Sequence, residues 1–220
     1  SLKSRVNVLW CSSYIGPTLL KLEQEKNIKL SGRQTPYGFE GTSRWIDELA
    51  VALGDPDISL HGQTIRDNHK SELDKIKSKL RGKKIFVSGG PGRLIGLLQL
   101  VADYEMDLVA LALYWIHPFS KEDISKALTR FSKQPEVLIT YPSLYELETI
   151  AREQKPDIWL GGYQEMHPAK RYGIPFVPTT LYIRSHQGFE GCIVFGQKMI
   201  QALDGYDFVA NPFVLKESQC

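Results

Sequence analysis

Lys84-Ile85-Phe86-Val87-Ser88-Gly89-Gly90-Pro91-Gly92-Arg93-Leu94 is the stretch on which the fold turns. A short aliphatic and aromatic run is closed by glycines and a proline, and apolar residues at helical spacing follow through residue 104. That order reads as strand, tight turn and helix, the first half of a βαβ unit. Downstream the alternation repeats, with strands expected over 108–113, 137–140, 157–160 and 175–177. Helices are expected between them over 124–131, 143–153 and 168–172. A last helix over 189–203 carries Phe189, Ile193, Ile200 and Leu203 on one face. Upstream, 6–10 reads as a strand, 17–26 as a helix and 28–30 as a second strand. Trp45, Ile46, Leu49 and Leu53 then mark a helix over 42–53, stopped by Gly54 and Pro56. Strands alternating with helices throughout predict an α/β protein of Rossmann-like, three-layer parallel sheets.

Residues 64–80 are heavily charged, with a narrow stripe of Ile65, Leu73, Ile76 and Leu80, the pattern of a solvent-facing connecting helix. The expected division is therefore a partial Rossmann-like unit at 1–63, a connector at 64–80 and a C-terminal Rossmann-like domain at 81–220. Two strands and a helix cannot cover both faces of a parallel sheet. The first unit is accordingly expected to be the C-terminal portion of a domain completed by upstream sequence.

The chain has 220 residues, 42% of them hydrophobic, enough for a substantial core. Its net charge of +2 gives no field to attract nucleic acid or an anionic membrane. No apolar run approaches the roughly 18 residues that span a bilayer, and the expected location is the cytoplasm. Cys11, Cys192 and Cys220 have no CxxC spacing, so neither a disulfide framework nor a self-contained zinc site is indicated.

Gly89 and Gly90 follow a strand and open a helix, where backbone amides and the helix dipole suit an anion and Arg93 adds positive charge. The alternative is a turn that merely reverses the chain. As a dinucleotide fingerprint the loop is a variant, Gly90, Gly92 and Gly96, with no acid near Tyr114 to hold a ribose. Cys11 immediately follows the first expected strand, at the carboxyl edge where open α/β sheets place their ligands. A lone thiolate there suits iron, although most single cysteines are buried small hydrophobes. His186 lies in the polar loop Arg184-Ser185-His186-Gln187-Gly188, which either lines a cavity or caps the last helix. Cys192 reads as core. His61, His69, His117 and His167 have no ligand spacing, Glu146 and Glu148 point apart on a helix, and no catalytic triad is evident, so no catalytic residue is assigned.

Several segments in order resemble the nitrogenase component 1 superfamily, which comprises catalytic molybdenum-iron subunits, cofactor-assembly scaffolds and tetrapyrrole reductases. Asn7-Val8-Leu9-Trp10-Cys11 resembles the strand that ends in the cluster-ligating cysteine. Gly82 to Val87 resembles the strand opening the last domain, and Gly89, Gly90 and Arg93 fall where the family's loop wraps its cluster. Pro156-Asp157-Ile158 through Gly162, Gly173-Ile174-Pro175-Phe176, and His186 through Gly191 are similar to further family segments. The chain departs from catalytic subunits where Pro178-Thr179-Thr180 stands in place of the heterometal histidine, and where Gln164 replaces the lysine that contacts the cofactor's organic acid.

The resemblance implies a scaffold-type protein holding an iron-sulfur cluster, a molybdenum-iron cofactor precursor or a related cluster, between α/β units. Cys11 would be the metal ligand, with Gly89, Gly90, Arg93 and His186 binding the cofactor. It implies a homologous component 1-like partner subunit and an ATP-dependent iron protein as electron donor. If the chain is part of an enzyme, that enzyme is an oxidoreductase of this superfamily. The alternatives are a tetrapyrrole or other reductase subunit, and a plain Rossmann-like nucleotide-binding module.

Overall fold

A computed structural model of the chain describes residues 6–8, 18, 21, 24–25, 30–31, 35–179 and 186–205. Its centre is a five-stranded sheet built outward from the deciding stretch, β3 (Lys84–Gly89). On one side β3 pairs with β4 (Asp107–Leu113), which pairs with β5 (Val137–Thr140). On the other it pairs with β6 (Ile158–Gly161), which pairs with β7 (Phe176–Pro178). Every pairing is parallel, and the order is β5-β4-β3-β6-β7. The chain therefore walks outward from β3 to β5 and returns to the far side of β3, which puts a topological switch point between β3 and β6. A separate parallel pair joins β1 (Asn7–Val8) to β2 (Leu30–Ser31).

Burial follows the two-residue period of a strand. Ile85, Val87, Leu111, Leu113, Ile158, Leu160 and Val177 enter one core, and Phe86, Ala110, Ala112, Trp159 and Phe176 the other. On the second face Phe86 and Trp159 stack with centroids 4.6 Å apart. Small Ala110 and Ala112 accompany those large rings, as close packing requires.

Four helices cover the first face: α1 (Gly38–Leu53), α2 (Asp57–Leu80), α3 (Pro91–Asp103) and α4 (Pro118–Leu128). The last helix, α7 (Gly188–Leu203), joins them through Phe189, Cys192, Ile193, Phe195 and Met199. The opposite face is covered by α5 (Leu144–Gln154) and the short α6 (Met166–Arg171). Local chemistry sets several ends. Gly54, at φ 68°, closes α1 by bonding back to Ala50 and Val51. Ser143 and Glu146 form a reciprocal capping box at the start of α5.

One expectation is corrected. The helix foreseen at 64–80 begins at Asp57, and its stripe is a packed interface, not a solvent-facing connector: Leu73, Ile76 and Leu80 are buried. One glycine on this helix and one on a neighbour explain the change. A side chain at Gly196 of α7 would collide with Ile76, and one at Gly62 of α2 would meet Ile46 of α1 at 2.7 Å. The stripe is narrow because backbones, not broad apolar faces, supply much of the contact.

Candidate functional site

The carboxyl ends of β3, β4 and β6 deliver Gly89, Tyr114 and Gly161 to the switch point, the edge where α/β sheets form ligand crevices. Among the described residues a Cβ at Gly89 would meet nothing within 4 Å, so none of them covers this face of the loop. Gly90 is the N-cap of α3, in extended geometry and with no side chain capping the helix. Pro91 follows at the first helical position, a place that tolerates its missing N–H. The amides of Gly92 and Arg93 are first-turn donors without acceptors inside the helix. Arg93 is half-buried, and among the described residues no carboxylate pairs with it.

Two aromatic residues that the sequence reading had not singled out shape this edge. The six-membered ring of Trp115 lies against the Gly90 Cα, where any Cβ would collide with it. Gly90 is thus required by Trp115, whereas Gly89 is the glycine that faces outward. Next to it the Tyr114 hydroxyl donates to Glu165 Oε1. Glu165 is fully buried, and among the described residues its Oε2 has no hydrogen-bond partner. Burial and the neighbouring Glu165 hold the Tyr114 phenol well above its ordinary range. A Cβ on Gly162 would stand 3.2 Å from both Glu165 Oε2 and the Tyr114 hydroxyl, so the pair lies directly against that turn. The signal for both aromatics was their place, directly after β4. Glu165 carried none, because an acid at the start of a short helix reads as surface.

His186 is fully buried, and among the described residues neither ring nitrogen has a hydrogen-bond partner. Its ring meets Phe195 edge-on at 4.2 Å and lies 6.4 Å from the Tyr37 ring. Burial, with Lys198 and Arg93 adding positive charge, pushes the imidazole down to about 3, so it is neutral near pH 7. A buried polar atom without a partner costs about 1–3 kcal/mol, which makes such atoms informative about ligands. Tyr37 bridges to Gln187, and the Gly188 N–H donates to the Pro36 carbonyl at 2.8 Å. The residues before α1 and the start of α7 are thereby tied together beside α3.

Cys11 and Cys220 lie outside the described residues. Cys192 is core as expected, its Sγ 3.6 Å from the Tyr104 hydroxyl and its thiol pushed up to about 12, chiefly by burial. Thr179 donates to the Gly161 carbonyl at 3.0 Å, completing the sheet edge, and Gln164 is exposed. Among the described residues no group of three or more His, Cys, Asp or Glu could hold a metal, and no helix is long and apolar enough to cross a membrane. A groove of about 720 Å³ runs between α1, α2 and the end of α3, and none of the expected site residues lines it.

The chain matches the family of nitrogenase component 1 type oxidoreductases over residues 1–204. It is 31% identical over 172 residues to the nitrogenase molybdenum-iron protein alpha chain of Methanothermobacter marburgensis, covering 76% of this chain and 35% of that one. It is 26% identical over 208 residues to the iron-molybdenum cofactor biosynthesis protein NifE of Clostridium pasteurianum, covering 90% of this chain and 43% of NifE. The chain thus spans less than half the length of either relative. A solved structure titled nitrogenase Cp1 at pH 6.5 superposes with a TM-score of 0.79 at 16% identity, over 92% of this chain and 46% of that one, a likeness of fold. By its match along almost the whole sequence, this chain belongs to the nitrogenase component 1 type oxidoreductases.

Proposed function

We propose that the chain is part of a scaffold-type component 1 subunit whose carboxyl-edge crevice holds a complex iron-sulfur cluster or cofactor precursor. The observation that carries this reading is the Gly89 face, which no described residue covers, beside the uncapped first turn of α3 and an Arg93 with no carboxylate among the described residues. Sulfide-rich clusters are anionic and bulky. Backbone amides, a glycine that lets them approach and a cation fit such a group. Cys11, in the sequence just beyond β1, would supply the thiolate. Gly89 would give backbone access, Gly90 would hold the turn against Trp115 rather than meet the cluster, Arg93 would offset charge, and His186 would support the wall from behind. When bound, the cluster would store electrons, and the polypeptide's task would be to position and insulate it. The loss of the lysine at Gln164 and of the histidine at Pro178-Thr179-Thr180 suits a site that holds its cargo less firmly than a catalytic one. A homologous partner subunit and an ATP-dependent iron protein complete the proposed assembly.

The test is anaerobic co-production of the full-length protein with its partner, followed by iron and acid-labile sulfide analysis and electron paramagnetic resonance. Cys11→Ser is expected to lower bound iron sharply and to change the spectrum. Unchanged iron and an unchanged spectrum refute the cluster reading.

A second reading is favoured by the aromatic lining. Trp115, Tyr114, the exposed Tyr163 and the exposed Tyr141, whose hydroxyl donates to the Ile116 carbonyl at 3.3 Å, gather at or near the same edge. Flat aromatic walls with a nearby arginine suit a planar conjugated carboxylate, as a tetrapyrrole reductase would require. Wild-type iron in Cys11→Ser together with tetrapyrrole binding would select this reading.

A further inference from the structure

Tyr141 is held in a backbone that its sequence disfavours. Its φ is 56°, in the left-handed region that is rare for a bulky side chain, and it precedes Pro142, where extended backbone is favoured. The other described non-glycine residues with positive φ, Glu105 and Lys155, lie just past the ends of α3 and α5, where that conformation is a usual stop. Tyr141 instead follows a strand, β5. The chain is fixed on both sides of the strain. The Tyr141 N–H donates to the Leu113 carbonyl at 2.7 Å, extending the β4 and β5 pairing, and Ser143 opens the α5 capping box. The side chain is 63% exposed, so burial does not hold it there. Its hydroxyl accepts from the Ile116 N–H at 3.4 Å and donates to the Ile116 carbonyl at 3.3 Å. On either side of Ile116 the loop is tied elsewhere. The Tyr114 N–H donates to the Gly89 carbonyl at 3.0 Å, and the His117 N–H donates to Ser120 Oγ at 3.1 Å. Between those ties stands Trp115, whose ring lies on Gly90. Strain of this kind persists only where the surroundings enforce it, and it gathers at functional sites.

We propose that Tyr141 is a positioning residue of the carboxyl-edge crevice. Its phenol holds the peptide between Trp115 and Ile116, and through it keeps the indole seated on Gly90, so that the Gly89 side of the turn stays uncovered. Asparagine or glycine would adopt this backbone more readily, but neither can reach Ile116 with a hydroxyl on a rigid ring. The strained tyrosine is retained for that reach. The inference rests on the carboxyl edge being a ligand site, and it holds for a cluster or for a planar organic occupant.

The test labels the full-length protein with fluorotryptophan and reads it by fluorine NMR, with Trp115→Phe and Trp159→Phe assigning two resonances. Tyr141→Phe keeps the ring and removes the hydroxyl, whereas Tyr141→Asn removes both and suits the backbone. Each variant is expected to shift or broaden the Trp115 resonance while that of buried Trp159 stays in place. Tyr141→Asn should also melt at or above the parent's temperature, which parts positioning from folding. After anaerobic co-production with the partner, both variants should lose iron to a ferrous chelator about tenfold faster than the parent. An unmoved Trp115 resonance in both variants overturns the proposal, as does parental iron loss despite a moved resonance. A Tyr141→Asn protein that melts well below the parent overturns it too, by making the residue a structural one. A parent that binds no iron refutes the cluster reading alone, and the Trp115 resonance still decides whether Tyr141 positions the indole.

Discussion

The Phe39 N–H donates to Asp103 Oδ2 at 2.5 Å, joining the start of α1 to the end of α3. Asp103 therefore serves as an N-terminal cap supplied from another helix, and an acid is electrostatically suited to that end. Its other oxygen accepts from Arg130 Nη2 at 2.7 Å, and Arg130 Nη1 reaches Gln99 Oε1 at 2.9 Å. Burial raises the Asp103 carboxyl, while Arg130 and the Phe39 amide oppose the rise. The carboxylate is almost wholly enclosed, with its arginine partner at the rim.

Asp103→Ala is expected to destabilise the protein by about 2–4 kcal/mol, because it strands the Phe39 amide and leaves Arg130 facing a void. Asp103→Asn, which can still accept from Phe39, should lose less. Urea unfolding midpoints decide this. An Asp103→Ala midpoint equal to the parent's would show that the capping contact contributes nothing.

Gly38 and Gly54 bracket α1 with nearly the same backbone, φ 71° and 68°, in very different surroundings. At Gly54 a Cβ meets nothing within 4 Å, so Gly54→Ala should cost about 1 kcal/mol of backbone strain alone. At Gly38 a Cβ would collide with Asp103 Oδ2 and stand 3.1 Å from the Leu100 backbone. Gly38→Ala is expected to lose about 1–3 kcal/mol more than Gly54→Ala. Thermal melts of the two variants side by side measure the difference, and equal losses would mean that Asp103 moves aside freely.

The sheet was legible because each strand announces itself locally: β5 was expected over 137–140 and is found at Val137–Thr140. The switch point was not, since nothing within β6 says which side of β3 it will join. Helix α2 was misjudged for a related reason. Its Ile76 and Leu80 looked like too little apolar surface for a core helix, and the partners that make them sufficient, Gly196 and the rest of α7, lie far along the chain. At the candidate site the glycine loop and Arg93 stood out from local pattern. The Tyr114 contact with Glu165 and the Trp115 contact with Gly90 did not, because both join residues brought together only by the sheet.

His186 gives a pH dependence with a definite sign. Its imidazole falls to about 3 in the folded protein, against an ordinary value of 6.5. Between those values the unfolded chain binds a proton that the native chain refuses, so stability drops as pH falls from 6.5 toward 3. The slope from this group is at most about 1.4 kcal/mol per pH unit. His186→Phe should flatten the melting curve between pH 6 and 4 relative to the parent, whatever it does to stability at pH 7. Parallel pH profiles for the two proteins would show that the ring is not held neutral.

Gly89 and Gly90 are adjacent, and their surroundings separate a folding role from a binding role. Gly90→Ala drives a methyl group into the Trp115 ring and should cost about 1–3 kcal/mol, partly recovered in Gly90→Ala/Trp115→Leu, where the flexible chain can yield. Gly89→Ala points a methyl group into open space, from a backbone conformation that alanine readily adopts. Its stability should stay within about 0.5 kcal/mol of the parent. If the loop embraces an occupant, Gly89→Leu should fold normally yet retain much less iron after anaerobic co-production. If it retains full iron, whatever is bound does not approach through Gly89, and Arg93 would then have to act on it from the other side of the loop.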